Sequence, residues 1–214
     1  MVSTRGRRYL VPDLSPLDRE ALSRMRPRFA FVAESPHLNE IQPEEKSERR
    51  PLCGMAGRQW WSLLSELLEG EANPDVSLER LISLCLKHRI AVLNAVQFPL
   101  DPKISKKYPG ADPIENLGFC KASGPYHYKK LKNSPEVRKS LQSLRDRLNH
   151  PSLSASKVIC LGNDAEWFVQ RALLSPEEQA RLGDRIPHPS AWWRRGGLFG
   201  RIAREKLEGI LGKL

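Results

Sequence analysis

The chain lacks several features that would assign it to a common class of protein. No apolar run approaches the length of a membrane-spanning helix, and residues 1–8 lack the apolar stretch of a signal peptide. Neither a P-loop nor a Gly-x-Gly-x-x-Gly turn is present, which argues against the usual nucleotide-binding enzymes. We therefore expect a cytoplasmic protein with no membrane partner.

Cysteine is scarce and scattered. The four cysteines, Cys53, Cys85, Cys120 and Cys160, form no Cys-x-x-Cys pair that could begin a zinc or iron–sulfur site. We expect reduced, mostly buried thiols, with no metal site and no cofactor.

The charge balance is the unusual part of the composition. The 214 residues include 35 Lys and Arg against 25 Asp and Glu, which gives a net charge of +10. Such an excess predicts attraction to a polyanion, and nucleic acid is the leading candidate. The alternative is that the charge only keeps the surface soluble. A hydrophobic content of 40% suits one ordinary folded domain spanning residues 1–214.

Short apolar runs alternate with helical patterns along the chain. Predicted strands cover residues 28–33, 90–96, 157–161 and, more briefly, 185–187. The helical patterns cover residues 57–69, 77–88, 134–149, 164–173 and 198–212. This alternation predicts an α/β fold, a three-layer sandwich in which helices cover both faces of a central four-stranded parallel sheet.

Polar residues follow each predicted strand. They are residues 34–37, Asn94, Gly162 with Asn163, and His188. Because the carboxyl ends of parallel strands meet at one edge of a sheet, we expect a ligand crevice there.

Two segments fall outside the alternation. Residues 1–27 are rich in arginine and proline and are predicted to form a basic N-terminal arm, with a helix beginning after Ser15. Residues 99–133 form a long basic loop in which lysines alternate with tyrosines. Such a loop could grip a nucleic-acid backbone and stack on bases, or it could be a solvated connection.

Four short motifs, in this order, resemble those of the uracil-DNA glycosylase superfamily. They are Ala-Glu-Ser-Pro-His at 33–37, Arg-Pro-Leu-Cys-Gly-Met-Ala-Gly at 50–57, Leu-Asn-Ala-Val at 93–96, and His-Pro-Ser at 188–190. The resemblance extends over about residues 28–212. It implies a monofunctional DNA glycosylase of base excision repair, which flips a damaged base, with uracil as the leading candidate, out of DNA and hydrolyses its N-glycosidic bond.

The resemblance implies a role for each motif residue. His188 would donate a hydrogen bond to the departing base, and Asn94 would pair with the edge of uracil, which presents a carbonyl beside an N–H. Leu52 stands where related proteins have a phenylalanine that stacks on the base. His37, in place of a tyrosine or glycine, would disfavour pyrimidines with a 5-substituent.

The first motif departs from the best-known branch of the superfamily. Ser35 occupies the place of an aspartate that orients water and stabilises the sugar cation. Serine can orient water but carries no charge at neutral pH. Glu34 or Glu40 could supply the missing charge, and we favour Glu34 because the neighbouring Pro36 restricts its direction.

The remaining predicted positions contact DNA. Trp192 aligns with a residue that wedges into the duplex, although one of the two adjacent tryptophans is expected in the core. The predicted DNA contacts are Gly54, Gly57, Gly162, Asn163, Ser190, Trp192, Trp193, Arg194 and Arg195. The expected partner of this monomer is DNA that contains uracil or a related damaged base. A weak or inert uracil-DNA-binding protein, or a general nucleic-acid-binding protein, are the alternatives.

Overall fold

The computed structural model describes residues 9–100 and 135–212. The predicted basic loop at 99–133 therefore lies almost wholly outside the described residues, together with Cys120 and residues 1–8 of the N-terminal arm. The three strands of the described part are β1 (Phe29–Ala33), β2 (Ile90–Asn94) and β3 (Lys157–Cys160). They form one parallel sheet in the order β2-β1-β3, with Phe29 level with Ile90 and with Lys157.

The predicted fourth strand at 185–187 is not a strand, so the four-stranded prediction is wrong for the described residues. Within these three residues only Ile186 pairs with the sheet, through an isolated parallel bridge to Leu161 beyond the end of β3, and the preceding Leu182 makes a second isolated bridge to Val158. The Ile186 N–H donates to the Cys160 carbonyl at 3.0 Å. Pro187 and Pro189 have no N–H to continue the ladder, which explains why the pairing stops after one residue.

The helices of the described part are α1 (Leu38–Ile41), α2 (Met55–Glu69), α3 (Leu78–His88), α4 (Pro135–Leu148), α5 (Asn163–Ala172), α6 (Pro176–Gln179) and α7 (Arg194–Leu211). Five of them, α2, α3, α4, α5 and α7, occupy the positions that the apolar pattern predicts, with ends shifted by a few residues, and the two short helices, α1 and α6, were not predicted. Short 3-10 helices lie at Glu20–Leu22, Lys46–Glu48 and Pro189–Ala191. None of the described helices is long and apolar enough to cross a membrane.

Both faces of the sheet are covered, as the α/β prediction requires. Strand side chains alternate between faces, so Phe31 and its neighbours two residues away pack with α2, α3 and α7. The Phe31 and Trp60 rings meet edge to face, with centroids 5.0 Å apart. Ala30 and Val32 point to the opposite face and pack with α4 and α5. All five residues of β1 and all five of β2 are buried, because the sheet is covered on both faces.

The described part of the N-terminal segment is not an arm. Leu14 pairs with Val92 in an antiparallel bridge, with N–H to O distances of 2.9 and 3.0 Å in the two directions. The predicted helix after Ser15 is replaced by turns and one short 3-10 helix. The chain turns there because the Leu17 N–H donates to the Ser15 hydroxyl and the Asp13 N–H to the Asp18 carboxylate. This segment therefore covers the outer edge of β2.

Candidate functional site

Two neighbouring cavities open at the carboxyl ends of the strands. The Glu40 cavity, of about 360 Å³, is lined by Glu40, Leu52 and Met55 among others. The Glu34 cavity, of about 590 Å³, is lined by residues that include Glu34, Gly162 and Arg194. Four residues border both cavities: Ser35, His37, His188 and Ser190.

Most of the predicted site residues meet here. Those that line one or both cavities are Glu34, Ser35, His37, Glu40, Leu52, Gly54, Gly57, Gly162, Asn163, His188, Ser190, Trp193 and Arg194. Three predicted residues are not on the walls: Asn94 and Trp192, which are buried, and Arg195, which is exposed in the turn that interrupts α7. The expected crevice is therefore present in the structure.

His188 is held by its own tripeptide and by a glycine. The Ser190 N–H donates to His188 Nδ1 at 3.2 Å, and the Ser190 hydroxyl lies 2.8 Å from the same nitrogen. An Nδ1 that accepts an N–H bond leaves the proton of a neutral ring on Nε2, the nitrogen that can donate to a base. Gly162, at φ 95°, makes room for the ring, since a Cβ there would lie 2.9 Å from His188 Cβ.

A second His-Pro-Ser segment occurs at residues 150–152. Its local structure matches the first. The Ser152 N–H donates to His150 Nδ1 at 3.3 Å, with the Ser152 hydroxyl 2.7 Å from that nitrogen. It lies between α4 and β3, at the amino-terminal end of β3 and away from the cavities. His150 lines neither cavity.

Glu40 is the buried acid of the site. It is 4% exposed, and burial raises the pKa of its carboxyl to about 8. Hydrogen bonds from the His37 backbone, the Asn94 side chain and the Leu52 backbone oppose that rise without cancelling it. At neutral pH the carboxyl is therefore mainly uncharged. Sequence reasoning missed this because nothing in residues 34–40 distinguishes the buried glutamate from the half-exposed one.

Asn94 reaches the Glu40 cavity only through Glu40. It is completely buried at the end of β2, where its Nδ2 donates to Glu40 Oε2 at 3.3 Å. Its Oδ1 has no hydrogen-bond partner among the described residues. The side chain that binds Glu40 therefore retains an unused acceptor.

Leu52 lies on the cavity wall in a strained conformation. It has a φ of 58°, and its carbonyl accepts a hydrogen bond from the Trp61 indole at 3.1 Å. A Cβ on Gly57 would come within 1.7 Å of the Leu52 carbonyl oxygen. Gly57 is buried, and its small size permits this contact, so it has a packing role, while its predicted contact with DNA stays a prediction.

Two buried arginines hold the loop that leads to Leu52. Arg19 donates to the carbonyls of Ser47 and Arg49, while Arg49 Nε donates to the Pro43 carbonyl at 2.7 Å. Both side chains are at most 8% exposed. The sequence offered no signal for them, because charged residues are ordinarily expected at the surface.

The two adjacent tryptophans have opposite environments, as expected. Trp192 is 8% exposed, donates to the Pro187 carbonyl at 2.8 Å and packs against Trp60, so the structure contradicts its predicted role as a wedge. Trp193 is 70% exposed on the rim of the Glu40 cavity, as is Met55 at 82%. Trp193 is therefore the tryptophan that a base could contact.

Cysteines and acidic residues provide no metal site in the described part of the chain. No group of three or more His, Cys, Asp or Glu side chains there is arranged to hold a metal ion. Cys53, Cys85 and Cys160 are free thiols, and burial raises the pKa of each, to about 11 for Cys53 and about 12 for the other two. Thiols with such raised pKa values are poor nucleophiles at neutral pH.

No known family model matches this sequence, and no curated protein is detectably similar to it. The resemblance to uracil-DNA glycosylases therefore depends on the short motifs alone.

Proposed function

We propose that this chain is a monofunctional DNA glycosylase that removes a damaged base, with uracil as the leading substrate. One observation carries the proposal. Ser35 and His37 border the same two cavities as His188, which lies about 150 residues later in the chain. Motifs that are far apart in sequence and meet in one cleft fit a shared task better than independent local roles.

The Glu40 cavity suits an extruded base. Leu52 offers an apolar wall, and the neutral carboxyl of Glu40 can both donate and accept a hydrogen bond. Uracil presents a carbonyl beside an N–H, which such a group can pair with. His188, on the wall of the same cavity, would donate to a base carbonyl oxygen as negative charge develops there.

The Glu34 cavity suits the sugar and phosphate. Glu34 is half-exposed, so water can stabilise its carboxylate, and Arg194 lines the same cavity. A charged carboxylate would stabilise the sugar cation, and an arginine would bind a phosphate. The neutral state of Glu40 supports assigning the charged role to Glu34, with Ser35 between the cavities in a position to orient water.

A weakly catalytic or inert protein that binds uracil-containing DNA is the second candidate. The observation that favours it is the pair of Ser35, in the aspartate position, and Glu40, which is largely uncharged at neutral pH. With no charged group at position 35 or position 40, catalysis would depend on Glu34 and His188 alone. A general nucleic-acid-binding protein is the third candidate, supported by the net charge of +10.

A panel of oligonucleotides, each with a single lesion, separates these candidates. Incubation with the protein is followed by alkaline cleavage at any abasic site. We expect cleavage at uracil in single-stranded or duplex DNA and none in the undamaged control. Tight binding to uracil-containing DNA without cleavage would favour the second candidate, and equal affinity for damaged and undamaged DNA the third.

Three variants then rank the water-positioning residues. We expect Glu34→Gln to lose more activity than Ser35→Ala, because the amide keeps the shape of the side chain and removes its charge. Rates are compared at equal substrate saturation, with folding checked by thermal melting. A larger loss for Ser35→Ala would reverse the ranking, and a loss confined to Glu40→Gln would transfer the charged role to Glu40.

A further inference from the structure

The main chain of Asn94 is bound on both sides by a buried ion pair. Asp13 Oδ1 accepts the Asn94 N–H at 3.1 Å, and Arg147 donates from the other side to the Asn94 carbonyl at 2.9 Å. Arg147 also donates to the Ala95 carbonyl at 2.9 Å and to Asp13 Oδ2 at 2.6 Å. The two charged residues are 134 positions apart in the chain and contact each other at the carboxyl end of β2.

The burial of this pair is unusual for a contact that serves stability alone. The Asp13 side chain is fully buried and that of Arg147 is 10% exposed. Burial of both charges costs several kcal/mol, and an apolar pair of similar volume often gives equal or greater stability. An ion pair can do something that apolar side chains cannot, namely bind an N–H and two carbonyl groups in a fixed geometry.

We propose that Asp13 and Arg147 are positioning residues that fix Asn94 so that its side-chain amide holds Glu40 on the cavity wall. The sequence of contacts runs from the ion pair to the Asn94 main chain, and from Asn94 Nδ2 to Glu40 Oε2 at 3.3 Å. The effect on catalysis depends on the proposed function. The effect on Glu40 does not.

The groups around the two acids define what a titration would report. Glu40 faces the His37 and Leu52 backbones and the Asn94 amide, and it is close enough to the Cys53 thiol to raise the pKa of that thiol. Asp13 faces Arg147 and Asp18, and burial raises its own pKa to about 6, so at pH 7 to 9 it stays ionised. A titration of Glu40 above pH 7 is therefore separate from that of Asp13.

The first test is Arg147→Lys, with the Glu40 carboxyl followed by carbon NMR on glutamate-labelled protein and its signal identified with Glu40→Gln. Lysine keeps the charge beside Asp13, but one ammonium cannot reproduce the three contacts of the guanidinium fork. Looser positioning of Asn94 weakens its donation to Glu40, so we expect the pKa of Glu40 to rise above the wild-type value. Uracil excision should fall by roughly 10- to 100-fold.

The matched control is Arg204→Lys, since Arg204 binds Glu66 through two hydrogen bonds between α2 and α7, away from β2. It should leave the Glu40 titration unchanged. If Arg147→Lys does not fold, the double variant Asp13→Asn with Arg147→Met is used in its place, because it removes both charges of the ion pair together. An unchanged Glu40 titration in a folded variant of Arg147, or of Asp13 and Arg147 together, overturns the proposal. Wild-type protein without excision activity overturns the proposed function only, because the titration is still measured.

Discussion

The two His-Pro-Ser segments have the same sequence and the same local structure, but only one belongs to the candidate site. In each, the serine N–H donates to histidine Nδ1, at 3.2 Å in residues 188–190 and 3.3 Å in residues 150–152. The first follows the carboxyl end of the sheet and borders two cavities, while the second precedes β3 at the other end. The tripeptide therefore determines the hydrogen bonds of histidine Nδ1 and hence the tautomer of the neutral ring. The topology of the chain determines whether that ring borders a cavity.

The residues around the two histidines also differ. Gly162 provides the space beside His188, and Trp193 extends the surface beyond it. Residues 153–157, Leu-Ser-Ala-Ser-Lys, follow the other segment and provide no aromatic side chain. The two segments therefore differ in their tertiary contacts and in their flanking residues. Single substitutions can remove each of these features separately.

Replacement of the two histidines gives the largest expected contrast. His188→Ala should reduce base excision by roughly 100- to 1,000-fold with DNA affinity nearly unchanged, because one preorganised donor to the departing base is lost. His150→Ala should leave excision at the wild-type rate. Single-turnover rates and binding by fluorescence anisotropy measure both. Equal rates for the two variants would remove His188 from the mechanism.

Gly162→Ala tests whether the placement of His188 matters as well as its presence. The new Cβ would lie 2.9 Å from His188 Cβ, and φ at this position is 95°, so the ring or the turn must move. We expect excision to fall on the order of 10- to 100-fold. Gly70→Ala is the control, since it also has a positive φ, of 79°, but nothing within 4 Å of a new Cβ. A comparable loss in both variants would indicate a general folding defect.

Glu40→Gln tests the acid that shares the cavity with His188. Folding raises the pKa of Glu40 from 4.5 to about 8, so its contribution to stability is complete below pH 4.5 and is lost as the pH rises through 8. Between these values the wild type should lose about 1.4 kcal/mol of unfolding free energy per pH unit relative to Glu40→Gln. Urea denaturation at several pH values measures the difference. Parallel curves would show that Glu40 is ionised in the native state.

Trp193→Ala tests the flanking residues that only the first segment has. Loss of one exposed stacking surface should weaken DNA binding by roughly 10-fold with little change in melting temperature. Trp192→Ala should do the reverse and lower stability by about 3–5 kcal/mol, because that ring is buried against Trp60. Anisotropy titrations and denaturation curves separate the two effects. Unchanged affinity for Trp193→Ala would exclude it from the DNA surface.

The serine hydroxyls give the smallest expected contrast. Ser190→Ala removes one contact of His188 Nδ1 and keeps the backbone N–H, so excision should fall only a few-fold, equivalent to about 1 kcal/mol. Ser152→Ala should leave excision unchanged and lower stability by about 1 kcal/mol, because Ser152 is buried. A large loss of excision in Ser190→Ala alone would assign the hydroxyl a direct part in the reaction.

Much of the fold was predictable because buried parallel strands have nearly continuous apolar sequences. Residues 29–33 and 90–94 are strands within the predicted ranges. The prediction of a fourth strand at 185–187 was wrong because the bridge at Ile186 is followed by a proline, which has no N–H to continue the pairing. The prediction of an N-terminal arm was wrong for residues 9–27, because Asp13 packs into the fold and pairs with Arg147. No local pattern in the sequence reveals that partner.

The alternation of strands and helices and the local conformation of each His-Pro-Ser segment can be traced to the amino-acid sequence. Both follow from periodicity and from contacts between residues close in the chain. Long-range packing sets which histidine borders the cavities, which glutamate is buried and which tryptophan is exposed. These outcomes depend on desolvation and on partners distant in the chain, such as Asn94 for Glu40 and Trp60 for Trp192, which the residues beside each position do not reveal.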